Sequence, residues 1–160
     1  MPFTLWQYLS IEQKSPDHRP KFNNLKHMKL CLEAYLVGVM NYIFQMAPNL
    51  ESFHIEFQPY NYGNHDELKL EQLRSSCSCA RLRVIQMSHL NPENNPHLEL
   101  VQLFFESAGF LEKIIIELDE IATKNPFVQC QKLLELPRLS KSCVLDVKWD
   151  SGSHTFTLCN

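Results

Sequence analysis

Glycine is scarce in this chain, at four in 160 residues, and no glycine-rich run is present to cradle a phosphate group. No Gly-x-Ser-x-Gly elbow occurs either, so the strained turn that presents a serine nucleophile in many hydrolases is missing. Long apolar runs are absent: the longest, Val37 to Met46, is broken by Asn41 and Gln45 and reaches about half of a membrane span. Lysine and arginine are scattered, and the formal net charge is -3. That leaves no electrostatic footprint for a nucleic acid or an anionic bilayer, so neither is an expected partner. The opening residues Met1 to Ser10 lack a basic leader and an apolar stretch, and no Asn-x-Ser/Thr acceptor occurs, so the chain reads as intracellular, in cytoplasm or nucleus. In that setting the six cysteines are expected to be reduced thiols rather than a disulfide framework.

Two residue groupings invite chemistry. Cys77-x-Cys79, with His65 and His89 to either side, offers the ligand types zinc prefers, but a second paired motif at metal-ligand spacing is lacking. Buried thiols are the simpler account. Asp150-Ser151-Gly152-Ser153-His154 brings a carboxylate, serines and a histidine together, yet a triad needs convergence in space around an oxyanion site, and these residue types equally make a tight turn. The expectation is therefore no catalytic residue, no metal, no cofactor and no enzyme activity.

What the chain does contain is a recurring apolar pattern. Leu25-x-x-Met28-x-Leu30, Leu50-x-x-Phe53-x-Ile55, Leu82-x-x-Ile85-x-Met87 and Leu111-x-x-Ile114-x-Ile116 start 25, 32 and 29 residues apart, close to or just beyond the roughly 20–29 of leucine-rich repeats. A short strand of this kind cannot bury its apolar side alone and must stack on neighbours with the same pattern. The expected fold is α/β: a leucine-rich-repeat solenoid, parallel strands alternating with helices, closed by a C-terminal strand or hairpin.

The connections support this alternation. Leu36, Val39, Met40, Ile43, Phe44 and Ala47 form one helical stripe that Pro48-Asn49 ends. Gln58 to His65 reads as a loop, and a short polar helix follows around Asp66 to Ser75. Asn95-Pro96 opens a helix with Leu98, Val101, Phe104, Phe105 and Ala108 inward and Gly109 as a left-handed cap. Asn125-Pro126 opens another, with Phe127, Cys130, Leu133 and Leu134 inward, and Pro137 stops it. Val144 to Trp149 and His154 to Leu158 then read as a hairpin. With 44% hydrophobic residues there is enough apolar material for one continuous core.

Residues between the apolar positions of each strand fall on the opposite sheet face, where successive repeats make continuous rows. The third-position row is His27, Ser52, Val84 and Lys113; the fifth is Lys29, His54, Gln86 and Ile115; the seventh adds Cys31, Glu56, Ser88 and Glu117. The first two rows are the candidate partner-binding residues, and the competing reading is an ordinary solvated sheet face.

The second half resembles the FBD region that closes many plant F-box proteins with leucine-rich repeats. The residues that carry it are Cys79-x-x-Leu82-Arg83-x-Ile85, Leu98-Glu99-Leu100-Val101 with Phe105 and Ala108, Leu111-Glu112-Lys113-Ile114, and Leu136-Pro137-Arg138-x-Ser140-x-x-Cys143. Leu25 to Leu30 and Ala47 to Phe53 are similar to the repeats that precede it. The resulting division is 1–24 as an N-terminal cap or linker, 25–78 as leucine-rich repeats, and 79–160 as FBD-like repeats and cap. In that family the F-box recruits an adaptor and a cullin-based ubiquitin ligase while the repeats hold the protein to be ubiquitinated. The resemblance thus implies a non-enzymatic binding module whose partner is a protein, or a ubiquitination substrate. The stretch before Leu25 is too short for a helical F-box and lacks its pattern, so no ligase adaptor is expected to bind through this chain alone. The alternative is a truncated structural remnant.

Overall fold

The computed structural model describes residues 20–32, 37–58, 79, 81–93, 95–119, 125–137, 142–149 and 152–159. In chain order the elements are β1 (His27–Leu32), α1 (Val37–Met46), β2 (Ser52–Phe57), β3 (Val84–Leu90), α2 (Asn95–Ser107), β4 (Lys113–Leu118), α3 (Pro126–Leu134), β5 (Ser142–Trp149) and β6 (Gly152–Cys159). All six strands form one sheet in sequence order. The first five run parallel and β6 returns antiparallel to β5. Of the loop expected at Gln58 to His65 only Gln58 is described, outside any strand or helix; the rest of it and the polar helix expected at 66–75 lie outside the described residues.

Register explains why the apolar pattern recurs. Met28 pairs with Phe53, Phe53 with Ile85, Ile85 with Ile114 and Ile114 with Leu145. Strands β2 and β4 alternate between buried and half-buried residues, as period-2 side chains must when only one face meets a packed layer. The buried positions join Met40, Ile43, Phe44, Leu100, Val101, Leu103, Phe104, Phe105, Cys130 and Leu133 from the helices in a single cluster.

The leucine that heads each pattern does a second job. Leu25, Leu50, Leu82 and Leu111 each donate a backbone N–H to the residue three before, Phe22, Ala47, Cys79 and Ala108, at 3.1, 3.2, 3.0 and 3.1 Å. The chain therefore turns the same way before every one of these strands. Ala47, Cys79 and Ala108 are all buried, and a small side chain lets the turn sit against the core. Leu145 and Val147 occupy the register places of Met28 and Leu30, so β5 is a fifth parallel strand before it is half of a hairpin. Its pattern escapes notice because Ser142 stands where the leading leucine would be.

Three expectations are corrected. No described glycine has a positive φ, so Gly109 is not a left-handed cap. The end of α2 is instead closed by Ala108 N–H donating to the Phe104 carbonyl at 3.0 Å, followed by the Leu111 turn. Phe127 does not face inward. It is 64% exposed and meets Trp149 edge-on at 5.8 Å, while Gln129 takes the buried place. Asn125 does cap α3, its Oδ1 accepting from the N–H groups of Phe127 and Val128. Cys79 is disulfide-bonded, against the expectation of a reduced thiol, whereas Cys31, Cys130 and Cys143 are thiols.

One irregularity bears on the open face. The β3–β4 register slips between Met87 and Leu90, and His89 has φ 59°, the left-handed region that costs a non-glycine residue about 1–2 kcal/mol. This is a bulge: Ser88 and His89 together occupy one step of the ladder, which returns Leu90 to the core. Replacing His89 by glycine relieves the strain, and the larger unfolded-state entropy of glycine offsets part of the gain. The expected net change in denaturant unfolding is a stabilisation of up to about 1 kcal/mol. A loss of similar size would show that the imidazole, not the backbone, matters there.

Candidate functional site: the open face of the sheet

The face opposite the helices carries the predicted rows in register. His27, Ser52, Val84 and Lys113 line up, and Val144 extends them; Lys29, His54, Gln86 and Ile115 line up, and Asp146 extends them. The structure thus brings all eight candidate residues onto one face and adds two from β5 that the sequence pattern did not supply. Cys31, Glu56 and Ser88 continue the third row.

The polar groups of this face bind one another across strands. The Lys29 ammonium lies 2.6 Å from Glu56 Oε2, and the Cys31 thiol donates to the same oxygen at 3.8 Å. Ser88 Oγ donates to Glu117 Oε2 at 2.7 Å, and Gln86 Nε2 donates to Glu117 Oε1 at 3.2 Å. Lys113 reaches Asp146 at 3.4 Å. His54 Nε2 is 2.9 Å from Ser88 Oγ. A carboxylate only accepts, so the single hydroxyl proton of Ser88 is committed to Glu117 and its oxygen accepts from His54. His54 therefore carries its proton on Nε2. Ser88 is 5% exposed and its proton points to the carboxylate rather than to the imidazole, the reverse of an activated nucleophile.

These contacts set the titration of the face. Hydrogen bonding to Glu56 holds the Lys29 ammonium above its ordinary value, and the same bond holds the Glu56 carboxyl below its own. Burial pushes His54 down, and the nearby Lys29 charge adds to the effect; Glu117 and Glu56 pull the other way without cancelling it. A folded state that resists protonating His54 binds fewer protons than the unfolded chain, so its stability rises with pH in that window. We expect the contribution to be complete above about pH 6.5 and to be lost on acidification through the lower folded-state value. In thermal unfolding over that range the His54→Gln variant should show a shallower pH dependence than the wild type. Equal slopes would assign the effect to other groups.

A further row was missed. Lys26, Glu51, Arg83 and Glu112 follow the four leading leucines and alternate in sign along the strands' N-terminal rim. Lys26 pairs with Glu51 at 3.0 Å and Arg83 with Glu112 at 2.6 Å, and Lys26 holds the Glu51 carboxyl below its ordinary value. The charge of the residue after each leucine was the available signal. Exposed pairs of this kind fix register more than they add stability.

At the other end of the strands His97, buried, stacks on Phe57 with ring centres 4.2 Å apart and accepts from the Asn91 N–H through Nδ1. This polar contact closes the core without serving the open face. Among the described residues no group of histidine, cysteine and carboxylate side chains is placed to hold a metal ion, and no described helix is long and apolar enough to cross a membrane. His65 and Cys77 lie outside the described residues, as do Asp150 and Ser151; Ser153 and His154 are strand residues of β6.

Fold and face together define a class: a repeat sheet of parallel strands, helices on one side and in-register rows of side chains on the other. The comparisons agree with the resemblance drawn from the residues. The chain is 26% identical over 130 residues to an FBD-associated F-box protein of Arabidopsis thaliana, a match covering 81% of this chain. It is 25% identical over 127 residues, 78% of this chain, to an F-box/FBD/LRR-repeat protein of the same plant. It spans 28% of the length of each of these relatives. No family model matches the chain. No solved structure matches it.

Proposed function

We propose that this chain is a non-enzymatic protein-binding module that acts as the substrate-recognition end of an F-box-type ubiquitin-ligase receptor. The observation that carries the reading is the register of the four parallel strands β1 to β4, which turns His27, Lys29, Ser52, His54, Val84, Gln86, Lys113 and Ile115 into one continuous surface. Such a surface presents mixed polar and apolar groups on a rigid support, the arrangement that recognition of a folded or extended protein requires. The names of both relatives contain F-box and FBD, which supports a role in protein interaction within that family. Adaptor recruitment is not assigned to any residue described above.

The test is quantitative affinity capture from plant extract with the wild-type chain, an open-face variant combining Lys29→Glu with Gln86→Lys, and a helix-side control, Glu99→Lys. Discrete partners should be lost with the open-face variant alone. An identical set of proteins with all three baits would overturn the reading.

A further inference from the structure

We draw no further inference here: the strongest candidate, the outer edge of β1 at the first-strand end of the sheet, where Leu25 and Met28 are half-buried although Leu50, Leu82 and Leu111, and Phe53, Ile85 and Ile114, in the same places of β2 to β4 are buried, carries nothing, because nothing in the structure shows what covers it.

Discussion

Replacing Phe53 by alanine should lower the free energy of unfolding by about 3–5 kcal/mol, measured by urea denaturation with an unchanged slope. Phe53 is fully buried near the start of β2 and meets two other rings edge-on: Phe44 of α1 at 5.4 Å and Phe104 of α2 at 6.4 Å. Those two also meet each other at 6.2 Å. The trio thus joins a strand to the helices of two different repeats, and each edge-to-face pair adds to the burial of the rings. In a repeat array stability resides largely in contacts between neighbouring units, so a residue that touches both sides counts twice. Against a total of about 5–15 kcal/mol for a domain of this size, the loss is a large share. A cost below about 1.5 kcal/mol would mean that the three rings repack freely and that the repeats are not interlocked at this point.

The parts of this fold legible in the sequence are those where a local pattern and the tertiary structure ask for the same residues. Leu50, Leu82 and Leu111 are buried because the turn before each strand and the core behind it both favour an apolar residue there. The open-face rows followed from the same alternation, since a strand with one buried face assigns every second residue to the other. What was not legible depends on neighbours distant in sequence. Ser142 replaces the leading leucine of β5, so only pairing with β4 reveals that strand as a repeat. Phe127 is apolar and helical, yet its partner is Trp149 at the surface rather than the core. The bulge at His89 carries no glycine to announce it, and the cross-strand bonds from Ser88 and Gln86 to Glu117 emerge only once the register is known. The charges after each leucine were readable, but their alternation matters only when the strands lie side by side.

Adjacent lysine substitutions in β4 should have opposite outcomes, and this contrast tests the whole arrangement. Ile114 is fully buried and pairs with Ile85 on one side and Leu145 on the other. An ammonium placed there has no partner in an apolar cluster, and burying an unpaired charge while opening a cavity should cost at least about 4 kcal/mol, enough to leave the chain largely unfolded. Ile115, the next residue, is half-buried on the open face between Gln86 and Asp146. A lysine there reaches water along its own stem, beside the Asp146 carboxylate, and should change stability by less than about 1 kcal/mol. The two variants have the same composition and differ by one position, so propensity and net charge cancel between them. Circular dichroism and urea unfolding of both are sufficient. Similar stabilities would mean that β4 is not packed on one side only, and the rows of side chains proposed to meet a partner would then not share a face.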